Sequence, residues 1–367
     1  MNEINYLQSL LHHFRPDKGW INDPNGLVYF KGYYHVFYQH CPNFETYGNE
    51  PVHWGHAVTK DFIEWEQLPI ALHPDNTYDN FGCWSGTAIV KEDTLYLFYT
   101  SVHGKEYKQT VSVAYSTDGI HFEKYKNNPV IRDYPADGGH DFRDPAVCCI
   151  QGQYYCVMAT GHAESKTGRL LLYKSEDLFN WAYVGIMKEW ENCEYIECPS
   201  FVETENGICF LTASVCPFNQ NRYFSVMYGR FFENKFMVEH TAEIDKGPDQ
   251  YAGQVFQDHK GRNIMISWMP GWAYNGYAEK DIGCMSIPRE LRFEDGKISA
   301  YPIEEVRHLL KDDDECLERT ESGFAVKRKN REPLIYHGEI SELKILRDGY
   351  IAEIFINGGE KSYSVLL

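Results

Sequence analysis

The sequence is short of the residue groups that many catalytic and binding chemistries need, and each gap removes a class of function. No Lys/Arg block interrupts a formal net charge of −18, with 35 Lys+Arg against 53 Asp+Glu. A polyanionic partner such as nucleic acid is therefore not expected. No apolar run reaches membrane-spanning length, so no membrane association is expected. The stretch Met1–Phe14 lacks a basic n-region, a long apolar core and a small-residue cleavage site, so no signal peptide is expected. CxxC pairs and HExxH are missing, and His53 and His56, three apart in a strand-like stretch, would face opposite ways. Neither a metal nor a cofactor is expected. A phosphate-cradling glycine loop and a Ser/His/Asp signature are also lacking.

Aromatics are plentiful, with 27 Tyr, 21 Phe and 8 Trp, which suits many short strands better than a helical bundle. Eleven cysteines, an odd number that includes the neighbours Cys148 and Cys149, read as reduced thiols of a cytoplasmic protein. The strongest signal is repetition. Five segments share an outline of apolar strand, short polar turn and aromatic-rich strand, starting at Gly26, Gly86, Pro145, Pro199 and Gly253. Those starts are 60, 59, 54 and 54 residues apart. The turns fall at Lys31-Gly32, Glu92-Asp93, Gln151-Gly152, Asn206-Gly207 and Lys260-Gly261, as hairpins prefer. A second strand pair follows each segment, so the period predicts an all-β, five-bladed β-propeller over residues 1–302. Residues 303–316, with helical spacing in Ile303–Leu310, read as a linker with a short helix. Residues 317–367 read as a truncated, sandwich-like β appendage too small to fold alone.

A propeller gathers the residues at the start of each blade's first strand at one mouth of its central channel. Three such places carry an acid and a proline: Asp23 in Trp20-Ile21-Asn22-Asp23-Pro24-Asn25-Gly26, Asp144 in Arg143-Asp144-Pro145, and Glu197 in Glu197-Cys198-Pro199. Each is turn chemistry by itself and, taken alone, reads as a surface turn feeding a strand. Trp84, Ser85, Asp249 and Tyr251 should reach the same mouth from blades two and five. Three carboxylates in one funnel repel one another, and the chemistry that uses such a group is glycoside hydrolysis, with one carboxylate ionised and another protonated.

These three stretches resemble the signature motifs of glycoside hydrolase family 32, the β-fructofuranosidases. Phe37-Tyr38-Gln39-His40, His53-Trp54-Gly55-His56-Ala57, Trp84-Ser85-Gly86-Thr87 and Ile287-Pro288-Arg289-Glu290-Leu291 support the match. The resemblance implies hydrolysis of terminal β-D-fructofuranosyl units from sucrose or short fructo-oligosaccharides, with retention of configuration. Asp23 would be the nucleophile, Glu197 the acid/base about 5–5.5 Å away, and Asp144 the group that holds fructose hydroxyls. Asn22, Gln39, Tyr47, Trp84, Ser85, Arg143, Asp249, Tyr251 and Trp268 would bind substrate. Glu197 should be the acid pushed towards protonation, with Asn22 and backbone donors holding Asp23 ionised. Cys41, Tyr47 and Ser200 depart from the family pattern and are expected to ring the pocket. The abridged tail points to a homo-oligomer. The same residues leave open a fructosyltransferase; the presence of all three acids argues against a silent sugar-binding propeller, and the stretch Trp20-Ile21-Asn22-Asp23-Pro24-Asn25-Gly26 against a related five-bladed family acting on arabinosides or xylosides.

Overall fold

The structure, a computed structural model, describes residues 10–205, 207–271, 282–329 and 331–367. Residues 1–9, part of the stretch read above for a signal peptide, and Asn206, one of the expected hairpin residues, lie outside them. Five antiparallel sheets form the blades of a propeller. Their inner strands are Trp20–Phe30, Gly82–Lys91, Phe142–Ile150, Cys193–Glu205 and Tyr251–Gln257. Outward from each run three further strands, and the last blade adds the short pair partner Cys284–Met285. Among the described residues, no helix is long and apolar enough to cross a membrane.

Local chemistry explains the regularity. The first hairpin turns through Lys31 and Gly32 at φ 49° and 88°, the doubly positive conformation whose twist matches the flanking strands. Blades one to three repeat a second device after the third strand. The hydroxyls of Thr59, Ser116 and Ser175 accept from the backbone N–H three residues on, at 2.8, 2.9 and 3.0 Å. Asp61, Asp118 and Asp177 then cap the next two amides of each turn.

Apolar clusters lie between blades. One joins Val157, Leu170 and Leu172 of blade three to Phe201, Leu211 and Val215 of blade four. Burying a side chain of this size contributes about 1.5–3 kcal/mol, so these layers dominate the stability of the ring. Side chains staple its centre. Thr87 donates to Pro145 O and accepts from Val147 N, both at 2.8 Å. Ser200 accepts from Val255 N at 2.9 Å. Gln254 accepts from Leu27 N at 3.2 Å and donates to Gly86 O at 3.0 Å, tying blade five to blades one and two.

The helical spacing of Ile303–Leu310 yields one short 3-10 turn, Glu304–Leu309. Beyond it stand two three-stranded sheets, Leu317–Thr320, Gly323–Val326 and Leu334–His337, then Leu343–Asp348, Ile351–Ile356 and Lys361–Leu366. Leu346 and Phe355 enter the apolar cluster of blades one and five. Beside them lies a buried charge network. All five N–H groups of Arg289 are used, on Asp245, Glu353, Ser362 and Ser364. His13 bridges Glu353 at 2.8 Å and Asp348 at 2.9 Å.

Candidate active site

The acid-proline stretches are not turns that precede the inner strands. They lie inside them, which corrects the expectation from sequence. The strand ladder slips between Ile21 and Pro24, between Trp84 and Gly86, between Arg143 and Ala146, between Glu197 and Ser200, and between Tyr251 and Gln254. All five inner strands thus carry a β-bulge at one height. A bulge leaves a residue out of the ladder and re-aims its side chain, and a proline is tolerated there because no ladder hydrogen bond is required. Asp144, Cys198 and Ala252 take up the strain at φ 60°, 49° and 53°.

The bulges open onto a cavity of about 410 Å³ whose wall includes Asp23, Asp144 and Glu197. The Asp23 carboxylate accepts from Ser85 Oγ at 2.6 Å, Gln39 Nε2 at 3.3 Å and Cys198 Sγ at 3.4 Å. Asp144 accepts from the Cys198 backbone N–H at 2.8 Å, so one residue touches both aspartates. Arg143 donates to Glu197 Oε1 from Nε and Nη2 at 3.2 and 3.0 Å, and to Asp141 at 2.6 Å. The other Glu197 oxygen accepts from the Tyr251 hydroxyl. Cys216 Sγ lies 3.1 Å from that hydroxyl.

Burial and the charges of Asp144 and Glu197 push the Asp23 carboxyl up to about 7, against the lowering effect of Ser85 and Cys198. Burial raises Asp144 to about 6, a rise that Arg143 opposes and Glu197 reinforces. Burial and the Glu197 charge hold the Tyr251 hydroxyl well above the usual phenol range, so it stays a donor. The expectation that Asn22 and backbone donors hold Asp23 ionised is therefore overturned. Its donors are side chains of Ser85, Gln39 and Cys198, and Asn22 Oδ1 has no partner among the protein atoms. Among the described residues, no group of three or more His, Cys, Asp or Glu is arranged to hold a metal ion.

Asn22, Gln39, Tyr47, Trp84, Arg143, Tyr251 and Trp268 line the cavity with the three acids. Ser85 does not; it is buried beneath Asp23 and bonded to it. Asp249 is not brought to the mouth at all. It precedes the inner strand of blade five, on the side where the tail docks. There Arg331 at 3.1 Å, Arg328, and the Leu366 backbone N–H at 2.9 Å occupy its carboxylate. Of the three departures from the family pattern, only Tyr47 lines the cavity. Cys41 is buried in blade one, and Ser200 serves the central staple.

Sequence reasoning missed Tyr107, Gln109, His140, Asp141, Tyr195 and Arg222, which complete the wall. Asp141 and Tyr195 stand two residues before Arg143 and Glu197, a period-2 signal that could have found them. The others come from loops and later strands and carry no local signal.

The profile for the Glycosyl hydrolases family 32 N-terminal domain matches residues 13–302. The chain is 33% identical over 323 residues to the sucrose-6-phosphate hydrolase of Zymomonas mobilis subsp. mobilis, covering 81% of this chain and 62% of that protein. It thus spans less than two thirds of that relative. To the sucrose-6-phosphate hydrolase of Escherichia coli it is 34% identical over 338 residues, covering 87% and 69%. Among solved structures it is similar to the Bombyx mori GH32 β-fructofuranosidase, with TM-score 0.83, 27% identity, and 99% and 90% of the two chains covered. The sucrose-6-phosphate hydrolase from Lactobacillus gasseri superposes with TM-score 0.84 at 25% identity, covering 99% and 89%.

Proposed function

The chain belongs to glycoside hydrolase family 32, and from that premise we propose that it is a β-fructofuranosidase releasing terminal fructose from sucrose, sucrose 6-phosphate or short fructo-oligosaccharides. The observation that carries this reading is the meeting of Asp23, Asp144 and Glu197, from three separate blades, in one cavity.

In the proposed reaction the Asp23 carboxylate attacks the anomeric C2 of the fructosyl unit as the bond to the leaving oxygen breaks. Glu197 gives that oxygen a proton, and the leaving sugar departs. Glu197 then takes a proton from water, whose oxygen attacks C2 and releases fructose with Asp23 ionised again. Two displacements restore the original configuration. Asp144 would hold fructose hydroxyls and favour the positive charge that develops on the ring. Tyr251 and Arg143 would orient Glu197 from its two oxygens, as their hydrogen bonds in this structure allow.

The test is fructose release from sucrose, sucrose 6-phosphate, 1-kestose, inulin and levan, with Asp23→Ala as the blank. Wild-type activity on none of them removes the proposal. A fructosyltransferase would show itself at high sucrose as longer products.

The acid limb of the pH profile offers a second check. Attack requires ionised Asp23, so kcat/KM should rise with pH as the Asp23/Asp144 pair ionises, between about 6 and 7. Ser85→Ala removes a donor that favours the Asp23 anion. The limb should then move upward by about 1 pH unit, the effect of one hydrogen bond to a charged group. A profile unchanged in Ser85→Ala would mean that another group sets the limb.

A further inference from the structure

We propose that Arg222 selects substrates whose leaving-group sugar carries a phosphate, which makes phosphorylated β-fructosides the preferred class. This rests on the β-fructosidase reading above and concerns the outer part of the same cavity.

Depth comes first. Asp144 is buried and Asp23 half-buried, deeper than the exposed residues of the cavity wall, so the fructosyl unit must sit against them. The leaving sugar then lies towards the mouth, where Tyr47, Tyr107 and Arg222 are exposed.

Charge decides what that mouth can accept. Asp23, Asp141, Asp144 and Glu197 share the cavity wall, and a phosphate dianion approaching four carboxylates is repelled unless a cation offsets them. Arg143 is committed to Glu197 and Asp141. Arg222 forms no ion pair among the described residues, yet it is held in place. Its Nη2 donates to the Tyr195 hydroxyl at 3.1 Å, and its guanidinium lies 5.0 Å over the Tyr251 ring. An oriented guanidinium with uncommitted N–H donors at a site entrance suits the bidentate geometry of phosphate. A neutral glucosyl group has no need of such a cation.

The readout is the ratio of kcat/KM for sucrose 6-phosphate to kcat/KM for sucrose. Wild type should favour the phosphorylated substrate. In Arg222→Gln the ratio should fall by about 10- to 100-fold, the effect of losing a charge-assisted hydrogen bond, with KM for the phosphorylated substrate carrying the change. Arg222→Lys keeps the charge without the fork and should restore part of the ratio. Inhibition by glucose 6-phosphate should weaken in Arg222→Gln more than inhibition by glucose. A ratio that does not change in Arg222→Gln, or a wild type that prefers sucrose, overturns the selection and leaves the β-fructosidase reading standing. A wild type that cleaves neither sugar overturns both.

Discussion

Asp23→Asn should abolish fructose release and, in the same variant, stabilise the protein at pH 8. The loss is expected to be a factor of about ten thousand to a million in kcat, the range for removal of an attacking nucleophile whose partners remain. The gain follows from linkage. Asp23 rises from 3.8 to about 7 in the fold, so the native state binds its proton more tightly than the unfolded chain does. That contribution is fully present below pH 3.8 and is lost as pH rises through about 7. At pH 8 the buried anion then costs about 4 kcal/mol, at 1.36 kcal/mol per pH unit. An amide carries no such charge, and after allowing for its altered hydrogen bonds, Asp23→Asn should gain about 2–4 kcal/mol at pH 8. At pH 4 the two proteins should unfold at similar urea concentrations. Equal stability at both pH values would show that Asp23 is not held protonated by the fold. Residual turnover near the wild-type level would remove it as nucleophile.

The second large effect lies away from the cavity. Arg289→Met should destabilise the protein by about 3–5 kcal/mol, because it leaves Asp245 and Glu353 buried without their cation. That is a large share of the 5–15 kcal/mol that typically separates folded from unfolded chains. Urea unfolding at pH 6 measures it, and a loss below about 1 kcal/mol would show that the network tolerates the missing charge. Its pH dependence has a definite sign. His13 between Asp348 and Glu353 is raised to about 9, so its contribution is complete below pH 6.5 and is lost as pH rises through about 9. Asp348, lowered to about 2 chiefly by His13 against the opposing effect of burial, contributes above pH 3.8 and loses that contribution as pH falls through about 2. The tail is thus held best between about pH 4 and 6.5, and its grip on the ring weakens towards alkaline pH. Asp23 and Asp144 add to the same alkaline decline.

Arg289 shows how a motif can be legible while its work is not. Ile287-Pro288-Arg289-Glu290-Leu291 stood out as a family stretch, yet nothing local says that its arginine would be enclosed by residues from the far end of the chain. Asp249 shows the reverse. It was expected at the channel mouth because it lies near the fifth inner strand, but Arg328, Arg331 and Leu366 claim it from the tail. Ser200 and Cys41 were expected around the pocket for their departures from the pattern, and they face a staple and a blade core.

The sequence by itself determined the number of blades, the hairpins and the three acids. Alternation of apolar residues and turn chemistry act over a few neighbours, and a period near sixty residues repeats them visibly. Only the tertiary structure decided that the acid-proline stretches are bulges within strands, that Ser85 supports Asp23 from below, and that Asp23 is held near 7. It also decided that Arg222 reaches the mouth from a loop. Those outcomes depend on burial and on charges brought together from separate blades, and both come into being when the ring closes.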